Sequence, residues 1–480
     1  MRKLLLALLI FCSLSSYATI LLPAIVSSHM VLQRDAEVLL WGWADAKADV
    51  VISLSWLTDD VETTADREGR WEVKVKTTDS KEAQTIHLKG NDSDILLEDI
   101  LFGEVWLCSG QSNMEMPIKG YKGQPTFGFP EVLIGCENPN LRLFTVHRKA
   151  SKTPLSDVEK YEAWQSANPA AVAEFSALAY YYGQQLQRAL NVPVGLIHTS
   201  WGGSSIQAWI SDEKLSAYQT VDLDAVNMTK SPNRTPTLLY NAMVAPIISY
   251  GVKGLIWYQG ESNRNEPALY EKLLPALVDD WSERMGKDEM PFYYVQIAPY
   301  FYNAPEAFNT VSNTALIRES MERCLDVIPH SGMAVTLDIG EEYSIHPADK
   351  KTVAERLLYS ALSQTYGLEG YDGKSPRYAS LEVKGENAIV HFDNAENGLF
   401  AYGDLTDFEI AGADKVFYPA VASIVKKGNA VTVHSDRVNK PVAVRYAWRN
   451  FVKGTLFDTA FLPASSFRTD NWDEATRAND

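Results

Sequence analysis

Four short segments of the chain gather residue types that loops of purely structural purpose do not need together. They read Ser109-Gly-Gln-Ser-Asn-Met114, Thr199-Ser-Trp-Gly-Gly-Ser-Ser205, Gln259-Gly-Glu-Ser-Asn263, and Asp338 followed by His346-Pro347. Ser112 follows an apolar run and a glycine, a setting in which a hydroxyl stands exposed on a tight strand-to-helix turn beside free helix amides. A hydroxyl so placed can attack a carbonyl carbon. In isolation it reads equally well as a helix cap, a role Asn113 also suits. The other three segments tip the reading toward chemistry.

A serine nucleophile requires a base, and the chain has eight histidines. His346 is best placed: Pro347 biases it toward an extended conformation and suits the first position of a following helix. His198, just before Thr199-Ser200, is the rival base and ranks second because it sits close to a strand. The oxyanion of an acyl-transfer transition state needs donors fixed in advance. The Ser112 N–H, a backbone N–H at Gly202-Gly203 and the side-chain amide of Gln259 are the candidates, with Glu261 as a supporting acceptor or a solvated carboxylate. A carboxylate that orients the histidine would complete a triad. Asp338, Glu341 and Glu342 all precede His346 closely. Asp338, at a strand end, is the choice made here, and a Ser-His dyad held by a backbone carbonyl is the alternative.

These segments need a scaffold that brings them to one edge. Residues 98–370 alternate apolar runs with amphipathic stretches, the pattern of a parallel sheet with crossover helices. Strands are expected at 105–108, 194–197, 254–258, 292–297 and 333–337. Helices are expected at 171–190, 269–285 and 312–327, and a last one carries the stripe Val353, Leu357, Leu358, Ala361, Leu362, with Gly367 as its stop. Four of the five strands end on the segments above, where an open α/β sheet binds its ligand. Residues 19–97 and 371–480 instead show short β-rich runs between turn residues, which reads as two β-sandwich-like domains flanking an α/β core.

Residues 1–18 carry Arg2 and Lys3, an apolar run from Leu4 to Phe11, and Ser16-Tyr17-Ala18 at a cleavage position. This reads as an export signal, placing the mature protein in the periplasm or outside the cell. The run is too short to span a bilayer, so no membrane insertion is expected after cleavage. Losing two basic residues takes the formal charge from -17 to -19, which argues against nucleic acid as a partner. After removal of Cys12, Cys108, Cys136 and Cys324 remain, with no C-x-x-C spacing, so neither a disulfide framework nor a zinc site is expected.

With these residues assembled, the chain resembles the sialate O-acetylesterases, a branch of the SGNH hydrolase superfamily. The likeness rests on 103–117, 192–203, 256–263, Ile345-His-Pro347 and Leu462-Pro-Ala-Ser-Ser-Phe-Arg468. It implies a flavodoxin-like SGNH core and hydrolysis of acetyl esters on sialic acid or another acetylated glycan, without metal or other cofactor. Ser112 would be the nucleophile, His346 the base and Gly203 an oxyanion donor. Two departures stand out. The superfamily places an Asn donor where this chain has Gln259, and an Asp three residues before the histidine where it has Tyr343. Acetylated xylan or pectin is an alternative substrate, and a non-catalytic glycan-binding protein a competing class. Trp106, Trp201, Trp257 and Tyr258 flank the segments, as sugar platforms or as core.

Overall fold

The computed structural model describes residues 19–90, 93–218, 221, 223, 230–302, 314–426, 428–472 and 476–477. The expected export signal lies outside the described residues. The N-terminal region holds β1 (Val31–Gln33), which pairs in parallel with β7 (Asp94–Gly110), and two antiparallel groups, β2 (Glu37–Trp43) with β5 (Arg70–Lys76), and β3 (Asp49–Leu54) with β4 (Val61–Thr64) and β6 (Gln84–Lys89). Alternation drives them: in β3, Val50, Ile52 and Leu54 point into the core while Asp49 faces water. β6 pairs with the start of β7, and β7 continues without a break into the central sheet.

That sheet adds β8 (Asn138–Val146), β9 (Tyr161–Ala167), β10 (Val194–Ser200), β11 (Gly254–Tyr258), β12 (Phe292–Val295) and β13 (Ser331–Ala334). Its order is β13-β12-β11-β7-β10-β8-β9, parallel throughout except for the β8–β9 pair. Helices α1 (Ser112–Glu115), α2 (Pro169–Glu174), α3 (Ala177–Leu190), α4 (Asp212–Leu215), α5 (Pro267–Arg284), α6 (Ala315–Arg323) and α7 (Lys350–Ser360) occupy the connections. Both faces are covered, so the strands are apolar on both sides. Trp106 and Cys108 of β7 pack with Leu178 of α3 and Leu357 of α7, whereas Val105 and Leu107 join the cluster that holds Leu273 of α5.

The helix expected at 171–190 is broken at Phe175-Ser176. Ser176 caps α3 through Ala179 N and also donates its hydroxyl to Met114 O at 2.6 Å, while Ala177 N donates to Met116 O at 2.9 Å. The break ties α3 to the segment that carries Ser112. β8 and the edge strand β9 extend the sheet beyond the five expected strands.

Beyond α7 lie a four-stranded antiparallel sheet (Arg377–Lys384, Asn387–Asp393, Ala430–His434, Val421–Ile424) and a five-stranded one centred on Phe408–Ala411. Arg318 of α6 fastens them to the central sheet. Fully buried, it donates to Ala447 O (3.0 Å), Arg449 O (2.7 Å) and Ser466 Oγ (3.1 Å).

Candidate active site

The register of the three middle strands fixes where their loops emerge. Gly110 at the end of β7 lies opposite Ser200 of β10 on one side and Tyr258 of β11 on the other. The chain crosses from one side of β7 to the other between β10 and β11, the point in an open α/β sheet where a ligand crevice forms. Gly110 has φ 143°, and a Cβ there would fall 2.1 Å from Tyr258 O, so only glycine lets β7 turn this close to β11. Two residues later Ser112 opens α1, and its own N–H, a helix-start donor, has no acceptor among the described residues.

His346 meets this serine from the connection between β13 and α7. Its Nε2 lies 2.8 Å from Ser112 Oγ, and its Nδ1 donates to Gln124 Oε1 at 2.6 Å. Burial and the nearby Lys350 ammonium pull the imidazole down to about 4, so it is neutral at pH 7 and can accept a proton. Gln124 is carried on a tight turn: Tyr121 and Gln124 exchange both backbone hydrogen bonds, with Gly120 at φ 75° and Gly123 at φ 76°. The same turn sets the Tyr121 ring edge-on to His346 and its hydroxyl on Ser112 O at 3.1 Å.

The carboxylate chosen from the sequence is elsewhere. Arg356 of α7 holds Asp338 in a bidentate pair at 2.8 and 2.7 Å, and Glu341 accepts from Ala348 N at 2.7 Å. Neither reaches His346, whose Nδ1 faces an amide. Gln259 is also committed: fully buried, it donates both amide hydrogens, to Ser204 O (3.0 Å) and Asn263 Oδ1 (2.8 Å). It braces the glycine loop from below and has no hydrogen left for an oxyanion. His198 is packed against Phe175, with Nε2 on Ser200 Oγ at 2.6 Å. Trp106, Trp257 and Tyr258 are core, and Trp201 alone of the four aromatics is partly exposed.

The glycine loop itself lies against the serine. A Cβ on Gly202 would sit 3.3 Å from Ser112 Cβ, and Gly202 N donates to Glu115 Oε2 at 2.9 Å. Gly203, at φ 70°, keeps its N–H free of any described protein acceptor. Among the described residues no group of three or more His, Cys, Asp or Glu is arranged to hold a metal, and no helix is long and apolar enough to cross a membrane.

A family of carbohydrate esterases described as sialic acid-specific acetylesterase matches residues 103–346, just over half of the chain. The structure is also similar to that of a carbohydrate acetylesterase from Xanthomonas citri, with 33% identity, a TM-score of 0.85, and 94% of this chain and 100% of that one covered. The chain belongs to this esterase family. Sialate O-acetylesterases of Pongo abelii and Homo sapiens are 27% and 26% identical to the esterase, each over 88% of this chain and 86% of their own. The matched region opens within β7 and closes on His346, so it frames the Ser112–His346 pair.

Beneath the pair lies a buried polar layer that the sequence reading did not identify. Asn113, next to the serine, donates to Glu261 Oε1 (2.6 Å) and Ile345 O (3.0 Å) and accepts from Lys350 Nζ at 2.6 Å. One amide thus links the first strand's loop, the third segment and the loop that carries His346. Burial lowers the Lys350 ammonium to about 7 and raises Glu261, so both charged forms are disfavoured. On the rim, Arg148 forms a bidentate pair with Glu115 and lies over Trp201 at 6.0 Å. The spacing Gly120-x-x-Gly123 was the one sequence signal for the Gln124 turn.

Proposed function

We propose that the esterase removes O-acetyl groups from sialic acids or other acetylated glycans through an acetyl-serine intermediate. The observation that carries this reading is the relay Ser112 Oγ–His346 Nε2 at 2.8 Å and His346 Nδ1–Gln124 Oε1 at 2.6 Å. Because Gln124 accepts from Nδ1–H, the lone pair sits on Nε2, facing the hydroxyl. Ser112 Oγ attacks the acetyl carbonyl carbon while His346 takes its proton, and the N–H groups of Ser112 and Gly203 receive the oxyanion. The tetrahedral adduct collapses as His346 returns the proton to the departing sugar oxygen. Water, deprotonated by His346, then attacks the acetyl-serine; the Ser112 Oγ–C bond breaks, His346 returns the proton to Oγ, and the acetyl group leaves as acetic acid, which ionises to acetate. Gln124 does the positioning usually assigned to a carboxylate, but supplies no negative charge to the imidazolium.

In our reading, residues 98–370 form an SGNH-type core and the β-rich segments at 19–97 and 371–480 flank it. A second substrate reading, an ester on an uncharged sugar such as acetylated xylan, is favoured by Arg148: the guanidinium nearest Gly202 is already neutralised by Glu115. The deciding measurement is acetate release from O-acetylated sialic acid and from acetylated xylan, with Ser112→Ala and His346→Ala beside the wild type. Each variant is expected to lose about 10³-fold or more in kcat. A Ser112→Ala protein as active as the wild type would overturn the assignment.

A further inference from the structure

The segment 462–468 takes no part in the strand-end site, and the residue before it is unusual. Phe461 is 53% exposed and sits at φ 62°, a left-handed backbone that is costly for an aromatic residue and that Gly or Asn would adopt with less strain. Asp458 enforces the turn: its Oδ1 accepts from Ala460 N (2.9 Å) and Leu462 N (2.8 Å), and its backbone oxygen accepts from Phe461 N (3.2 Å). The turn lays the Phe461 ring within 15° of parallel to Tyr402, which is 76% exposed, with centroids 5.8 Å apart. Phe400 meets both rings edge-on. Backbone strain and solvent-facing aromatic area are both spent here, and neither helps the chain to fold.

An opening of about 280 Å³ beside the rings is lined by Asp338, Arg356, Tyr359, Tyr402, Phe457 and Phe461. Its lining combines aromatic rings with the Asp338–Arg356 ion pair and the hydroxyl-bearing Thr352 and Tyr359, a mixture that suits the C–H face and the hydroxyl edge of a pyranose. Asp338 and Thr352, also on this opening, bracket the connection that carries His346. From Thr352 to Tyr359 helix α7 runs about 10 Å along the same edge.

We infer that Tyr402 and Phe461 form a platform for an uncharged stretch of glycan chain, which holds a polymeric substrate beside the catalytic pair. The inference rests on the carbohydrate-ester reading of that site. Its test is electrophoresis of the full chain through native gels containing deacetylated xylan or a soluble β-glucan, with Tyr402→Ala and Phe461→Gly; glycine keeps the left-handed turn. The wild type is expected to be retarded by at least one polymer and both variants to migrate as in a sugar-free gel. On acetylated polymer the variants should show KM raised roughly tenfold, with unchanged turnover of 4-nitrophenyl acetate. No retardation of the wild type, or equal retardation of the variants, overturns the platform. Retardation needs no catalysis, so the platform can stand even if no sugar ester is cleaved.

Discussion

In the five-stranded C-terminal sheet, two buried charges meet opposite charges. Arg445 donates to Asp470 at 2.9 and 2.7 Å with both side chains almost wholly buried, and Glu409 accepts from Arg477 and Arg449. Beneath Ser112 the partners are amides. Lys350 and Glu261 meet the two ends of Asn113 instead of each other, and Glu261 Oε2 has no hydrogen-bond partner among the described residues. His346 likewise meets Gln124. A fully paired charge locks an architecture, whereas burial without an opposite charge in contact favours the neutral form of a base, as at His346 and Lys350.

Three variants would break or sharpen that contrast. Arg445→Met strands Asp470 in the interior and should cost about 3–5 kcal/mol in denaturant unfolding, while turnover at 25 °C stays at the wild-type level. Lost turnover in a folded Arg445→Met protein would show that the two regions are not independent. Asn113→Ala unlinks Lys350 from Glu261. We expect kcat/KM to fall about 10- to 100-fold with a stability loss of about 2 kcal/mol, and an unaffected rate would make the amide layer mere packing. Gln124→Glu has the smallest effect, on pH. A neutral His346 is required, so activity is lost as pH falls through its pKa near 4. A carboxylate on Nδ1 stabilises the imidazolium and should move that acid limb up by about 1–2 pH units. A limb that does not move would place Gln124 outside the relay.

The central sheet was legible because parallel strands buried on both faces leave unbroken apolar runs, and 254–258 matches β11 residue for residue. β8 and β9 were not, since β9 is an edge strand exposed over its first three residues and β8 opens on Asn138-Pro139-Asn140. The strand ends drew attention to Ser112, His346 and the Gly202-Gly203 pair through residue types and position, and the family resemblance singled out Gly203. Partner choice is a different matter: Asp338 precedes a histidine as an orienting carboxylate should, yet Arg356, one helix away, claims it. Gln124 has no charge, and the glycines at 120 and 123 mark a turn there but not that its amide faces His346. Gln259 stands at a strand end as a donor should, but its depth below the loop is set by packing that no spacing reveals.

β7 is a single beam of 17 residues that joins the N-terminal strands to the catalytic edge. Within the parallel sheet it is clamped by β10 on one side and β11 on the other. Tension applied upstream would load both hydrogen-bond ladders in shear, the direction in which many bonds must yield at once. The nucleophile is therefore bolted to the longest described strand of the fold, and a pull on the N-terminal strands is transmitted directly to it.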